Sequence, residues 1–212
     1  EFRELDLVLT MDRQDDPQTV ALNYDHFAVT PELLNVQEAC TLEPLLNPNA
    51  ISGVLKLPHG HIQAQKTTNA YIQAMIRNGG KIIYEQVVNL VRQGDKITGV
   101  TTTTNNYYGN NTVVCGGGLS RSLLQQAGVK VNNYFTHAQL IMTPPMDLEL
   151  ATVVMPAVQQ RFRLEAQAAA IDPGDQVDRV ILDPGAVQFI DGSLCIGQIS
   201  AIAENPQAKF DL

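Results

Sequence analysis

Three consecutive glycines, Gly116-Gly117-Gly118, are the sharpest chemical feature of this chain. They follow the apolar run Val113-Val114-Cys115 and precede a segment of helical character from about Ser120 to Gln126. A strand that enters glycines and leaves into a helix lets backbone N–H groups approach a phosphate or a cofactor ring, because no Cβ stands in the way. Two readings stay open for the run: a tight strand-to-helix turn, or a turn set against a cofactor held mainly by other residues. It is not a dinucleotide fingerprint, which requires G-x-G-x-x-G: position 121 is Arg121, and Val131 to Ile141 offers no Asp or Glu for a ribose.

Arg161 and Arg163 alternate as on one face of a strand. A guanidinium there can grip a substrate carboxylate through two parallel hydrogen bonds; the alternative is a surface ion pair. His59-Gly60-His61 brings two imidazoles close in sequence, but no Cys or carboxylate cluster accompanies them, so no metal site is assigned. His26 and His137 are isolated, and Asp15-Asp16 reads as a solvated turn. No nucleophile elbow occurs; Gly117-Gly118-Leu119-Ser120-Arg121 comes nearest and does not match. No catalytic residue can be named from these patterns.

Bulk properties narrow the partners. The 212 residues suffice to bury a core, and 44% hydrophobic content is ordinary for a globular chain. Fourteen Lys and Arg against 22 Asp and Glu give a net charge of -8, with no basic cluster to neutralise phosphates, so no nucleic-acid partner is expected. No apolar stretch reaches the roughly 18 to 20 residues of a membrane helix, so no integral membrane segment is expected. Cys40, Cys115 and Cys195 lie far apart among apolar neighbours and read as buried free thiols of a reducing, cytoplasmic compartment. Asn110-Asn111-Thr112 matches a glycosylation sequon that is expected to be unused. The start, Glu1-Phe2-Arg3-Glu4, has no initiator Met and no leader pattern, and suggests a chain cut from something longer or a processed product.

The elements that must position these residues follow from periodicity. Phe2 to Thr10 alternates as a half-buried strand, Gln18 to Ala28 is loosely helical, and Val36 to Leu42 is a short helix before Glu43-Pro44. Ile51 to Leu57 reads as a strand closed by Pro58, and Gln65 to Asn78 as a helix stopped by Gly79-Gly80. Strands are expected at Lys81 to Tyr84, Gln86 to Arg92, Ile97 to Thr104 and Tyr107 to Cys115, with turns at 93–96 and 105–106. Beyond Gly128, Val129 to Thr143, Ala151 to Met155, Val180 to Leu182, Val187 to Ile190 and Leu194 to Ile199 are β-like, with Asp191-Gly192 a hairpin turn. Arg161 to Asp178 is undecided apart from a helical turn at Glu165 to Ala170, and the tail from Ala203 is polar. The fold class is α+β.

The order of these pieces resembles a known family. Leu42-Glu43-Pro44-Leu45-Leu46 is followed by Gly53 to Pro58, His61-Ile62-Gln63 and a helix ending in Asn78-Gly79-Gly80-Lys81-Ile82. Glu85 to Leu90, Gly99-Val100-Thr101-Thr102, Val113 to Ser120, Gln139 to Pro144 and Asp191 to Gly197 come next. Over roughly residues 1 to 200 this resembles the middle of the FAD-dependent oxidoreductases of the D-amino-acid oxidase type, which include glycine oxidase and D-amino-acid dehydrogenase. The resemblance implies a mostly antiparallel substrate domain interleaved with a helix and β-meander of a flavin-binding domain. Residues 1–50 would form the first substrate-domain pass, 51–128 the return to the FAD domain, 129–200 the second substrate pass and 201–212 a tail.

The same resemblance implies FAD as cofactor, with Val87 or Val88 presenting backbone to the adenine and Gly116, Gly117 and Gly118 lying against the cofactor. Where the family carries Gly-Ala-Trp-Ser this chain has Gly-Gly-Leu-Ser, and where it carries Asp-Pro the chain has Gln63-Ala64. Val180 to Leu182 and Ile196-Gly197 would border the substrate, and Arg161 or Arg163 would hold the carboxylate of an amine or amino acid. The N-terminal Rossmann segment and C-terminal segment of the pattern fall outside this sequence, so tight FAD binding and activity are not expected of the chain alone. A homo-oligomer is allowed. Two other classes compete: a standalone module that binds a small ligand or protein without redox chemistry, and a hydrolase or transferase whose site carries no recognised motif.

Overall fold

The computed structural model describes residues 2–131, 135–169 and 180–203. Its core is the long antiparallel pairing of β1 (Phe2–Asp12) with β3 (Ile51–Ile62), in register from Phe2 opposite Ile62 to Met11 opposite Gly53, with a shift before Asp12 opposite Ile51. Alternation along these strands sends side chains to two faces. Leu9, Met11 and Leu55 pack on one face with Val20 of α1 (Pro17–Leu22) and with Ala157. Val8 and Val54 pack on the other with Ala39 of α2 (Val36–Leu42).

Local capping explains where the two helices begin. Asp16 accepts the Thr19 N–H at 2.7 Å as the N-cap of α1, with Pro17 in the first turn, and that bond draws its carboxyl below the usual range. Asp15 accepts the Asp12 N–H at 2.9 Å. The acidic pair is therefore turn and cap chemistry rather than merely solvated charge. Asn35 and Glu38 form a reciprocal capping box on α2.

Around β1 and β3 grows a seven-stranded sheet in the order β2-β3-β1-β8-β9-β10-β7, where β2 is Glu32–Leu34, β7 Phe135–Met142, β8 Val153–Pro156, β9 Val180–Gln188 and β10 Leu194–Ala203. Every pairing is antiparallel except β1 with β8. Between β3 and β7 the chain leaves this sheet. It forms α3 (Ala64–Arg77), then a separate antiparallel meander of β4 (Val87–Gln93), β5 (Lys96–Thr102) and β6 (Asn106–Tyr108). A single 3-10 turn, Gly117–Leu119, leads into α4 (Ser120–Gln126). A fifth helix, α5 (Gln160–Ala169), follows β8. This is the α+β class with a mostly antiparallel sheet.

Several expectations change in the folded chain. Pro58 does not close β3, which runs on to Ile62; β2 covers β3 only between Val54 and Lys56, and proline is tolerated along an open edge. Lys81 to Tyr84 forms no strand and pairs with none of the described strands. The strand expected at Tyr107 to Cys115 ends at Tyr108: the Gly109 N–H still bonds the Thr98 carbonyl at 3.0 Å, but the chain then leaves β5, which itself runs on to Lys96. Val180 to Leu182 and Val187 to Ile190 join into one strand, β9, through Pro184-Gly185. β3, the first strand after residue 50, pairs with both β1 and β2 and belongs to the large sheet through Ile62. Residues 132–134, 170–179 and 204–212, which include part of the undecided segment and the tail, lie outside the described residues.

Candidate functional site

The glycine turn and the start of the meander meet. Helix α4 packs against β4, and between them Val87, Val88, Gly116, Leu119, Leu123 and Gln126 border a cleft of about 480 Å³. Val87 and Val88 are each 39% exposed. Gly117 takes φ +54°, a left-handed conformation that glycine adopts without strain, and a Cβ built on it meets nothing within 4 Å. The turn therefore presents open backbone beside the cleft. Gly118 shares the same 3-10 turn. Of the five positions expected at a cofactor, Val87, Val88 and Gly116 line one cleft and Gly117 and Gly118 adjoin it.

The chemistry of the lining selects which part of FAD fits. The walls are aliphatic side chains with amide and hydroxyl groups from Gln86, Gln126 and Ser122, and no charged side chain lines them. Such a surface suits a flat, neutral ring, whereas a pyrophosphate needs a cation or a fan of N–H donors. The residues present accordingly fit a flat ring such as a ring portion of FAD better than its phosphates.

Glu85, one step before the cleft, is held with unusual completeness. It accepts hydrogen bonds from Thr102 Oγ1 at 2.5 Å, Thr104 Oγ1 at 2.6 Å and the Tyr107 hydroxyl at 2.8 Å. These donors, Thr102 foremost, pull its carboxyl down to about 2, and the bond to Glu85 pushes the Tyr107 phenol up. Sequence patterning missed this cluster because its members are spread over a coil, a strand end and a further strand.

The two arginines fall on a helix, not on a strand face. Asp183 of β9 caps α5 by accepting the Gln160 N–H at 3.0 Å and the Arg161 N–H at 2.9 Å, which stabilises a helix where alternation suggested a strand. Residues two positions apart on a helix point about 200° from each other, so Arg161 and Arg163 do not share a face. Arg161 lies 3.4 Å from Glu165 and 5.2 Å from the centroid of the Phe162 ring. Phe162 in turn borders a second cleft of about 560 Å³, apolar and floored by Leu7, Leu9, Leu57 and Met155, with Tyr24 and His26 on its lining. The Tyr24 hydroxyl donates to the Ala157 carbonyl at 2.5 Å, and burial raises its pKa. Tyr24 and His26 carried no sequence signal beyond the loosely helical run that contains them.

The remaining candidates are dispersed. Among the described residues no three His, Cys, Asp or Glu side chains come together as a metal site. His61 makes an edge contact with Phe189 at 5.3 Å between ring centroids. Cys40 and Cys195 are partly buried, while Cys115, expected inside, is exposed because the segment before the glycines pairs with no strand. No helix among the described residues is long and apolar enough to cross a membrane.

Comparison with known proteins agrees with this layout. A family model described as FAD dependent oxidoreductase, DAO, matches residues 4–198. The fold is similar to that of L-proline dehydrogenase from P. horikoshii, with a TM-score of 0.72 and 17% identity over 100% of this chain and 53% of that one. It is similar to glycine oxidase from Bacillus cereus, with a TM-score of 0.69 and 16% identity over 99% of this chain and 53% of the other. An FAD-bound L-alpha-glycerophosphate oxidase from Mycoplasma pneumoniae gives a TM-score of 0.67 and 15% identity over 96% of this chain and 51% of that one. No curated protein sequence matches. The chain thus spans about half the length of the solved structures it resembles. Since the family match runs through both the large sheet and the meander with its glycine turn, this chain belongs to the DAO family of FAD dependent oxidoreductases, whose cofactor is FAD.

Proposed function

We propose that the chain is the middle portion of a flavoenzyme that oxidises an amine or amino acid by hydride transfer to FAD, and that it is inactive alone. The observation that carries this reading is the uncharged cleft on which Val87, Val88 and Gly116 converge. Bound FAD supplies the hydride acceptor, and the protein supplies orientation and electrostatics. In this reading the backbone at Val87 or Val88 meets the adenine, and Gly116, Gly117 and Gly118 let the cofactor approach the main chain. The described large-sheet residues 2–62, 135–169 and 180–203 form the substrate unit, and residues 63–128 the flavin unit. The site of β3 in the large sheet supports that division.

On the substrate side, Arg161 is assigned to grip a carboxylate, and Arg163 supplies a second cation on another face of α5. The apolar cleft beside Phe162 would take the remainder of the substrate and exclude water from it. For Arg161 to serve, its guanidinium must exchange the Glu165 carboxylate at 3.4 Å for the substrate's. Similar structures named for glycine and L-proline favour an amino acid; the one named for L-alpha-glycerophosphate favours a hydroxyl-bearing substrate as the second reading.

The test is reconstitution. The purified chain mixed with FAD is expected to give no tight yellow complex. Joined to a family segment carrying a G-x-G-x-x-G βαβ unit, it is expected to retain flavin through gel filtration. A folded fusion that still loses all flavin would overturn the reading.

A further inference from the structure

The coil 80–86 has no strand partner among the described residues, yet it delivers Gln86, Val87 and Val88 to the cleft wall. Something must fix its end. Glu85 ties it to the end of β5 through Thr102, to the following turn through Thr104, and to β6 through Tyr107. The Thr103 N–H adds a bond of 3.2 Å to the Gln86 carbonyl. Both carboxylate oxygens are used: Oε2 accepts the two threonine hydroxyls and Oε1 the phenol. The third strand sits close enough to supply that phenol only because residue 99 is glycine; a Cβ there would stand 2.0 Å from the Tyr107 carbonyl oxygen.

We propose that Glu85 is a positioning residue of this cleft: its carboxylate, bonded to Thr102, Thr104 and Tyr107, holds Gln86 to Val88 where a nucleotide base packs against them. The assignment rests on the reading of the cleft as the adenine side of the flavin site. Glu85 does not touch the ligand. It acts by removing freedom from the wall, which lowers the ordering cost of binding.

The experiment uses the 212-residue chain and AMP, the adenine-bearing half of FAD, with affinity followed by saturation-transfer NMR at millimolar probe. Melting is recorded in parallel, and binding is read well below the melt of every variant. Wild type is expected to bind weakly, and Val88→Asp, which puts a charge on the wall, to abolish the signal. Glu85→Gln is expected to weaken AMP roughly tenfold, equivalent to about 1.4 kcal/mol. Tyr107→Phe should cost less, and adding it to Glu85→Gln should cost nothing further, because the phenol acts through that carboxylate. A purely structural role would lower the melt of Glu85→Gln and leave its AMP affinity unchanged; that result overturns the positioning role while Val88→Asp still upholds the cleft. Equal AMP binding by wild type and Val88→Asp, or none by wild type, overturns both.

Discussion

Glu43 offers the sharpest test of how this chain is held together. It caps the C-terminus of α2, is 0% exposed, and reaches across 109 residues of sequence to Thr152, itself 1% exposed. Its Oε2 accepts the Thr152 N–H and O–H, both at 3.0 Å, and its Oε1 accepts the Leu45 N–H at 3.3 Å. Glu43→Ala strands both Thr152 donors in the interior, at about 1–3 kcal/mol for each buried donor left without a partner. It also removes packed methylene, while release of a desolvated carboxylate offsets part of the loss. The expected net destabilisation is about 3 kcal/mol, which moves a urea midpoint by about 1 M for a slope near 3 kcal/mol/M. Glu43→Gln should cost less, about 1–2 kcal/mol, because its carbonyl can still serve Thr152 while its NH2 group faces the Leu45 donor. Thr152→Ala alone should cost about 1 kcal/mol, and the double variant less than the sum, with a coupling of about 1–2 kcal/mol. Strict additivity, or a Glu43→Ala variant within about 0.5 kcal/mol of wild type, would refute the clamp.

Three further outcomes are expected. Gly99→Ala drives a Cβ to 2.0 Å from the Tyr107 carbonyl oxygen, so the meander must open; hydrogen exchange should show lost protection in β5 and β6 while β1 and β3 stay protected. Gln63 caps α3 without a side-chain hydrogen bond, so Gln63→Asp should stabilise that helix by about 1 kcal/mol, read as a higher melting temperature at neutral pH. Glu85 has a carboxyl lowered from 4.5 to about 2, so its contribution is present above 4.5 and is lost as pH falls toward 2. The loss of meander stability over that window should shrink in Glu85→Gln.

The elements legible in the sequence are those decided by local chemistry. Val36–Leu42 and Ser120–Gln126 take their expected limits. For Val36–Leu42 the capping box is local, and Gly128 at φ +77° follows the second helix. Helix α3 ends at Arg77 and is closed off by Gly79, φ +85°, where the Gly79 and Gly80 N–H groups bond back to the Ile76 and Met75 carbonyls. The hairpin between β9 and β10 likewise follows from Asp191-Gly192 and the Ser193 N–H bonded to Asp191. Strand limits are less legible: Lys81 to Tyr84 is apolar enough for a strand but pairs with none of the described strands. The alternation of Arg161 and Arg163 points to a strand, whereas Asp183, 22 residues away from Arg161, caps a helix there.

The sequence by itself determined the class and the order of parts: an α+β chain in which a long helix is followed by closely connected strands and then by a glycine turn into a further helix. These follow from spacing of two or four residues, from caps and from turns, all set by neighbours along the chain. Only the tertiary structure decided that β3 belongs to the large sheet, that β1 and β8 run parallel, that Glu43 clamps Thr152, and that Glu85 is bound by three hydroxyls. It also brought Val87 and Val88 to the same cleft as Gly116. Each of these joins residues far apart in sequence, and such contacts form only when buried area and satisfied polar groups outweigh the entropy of closing the loops between them.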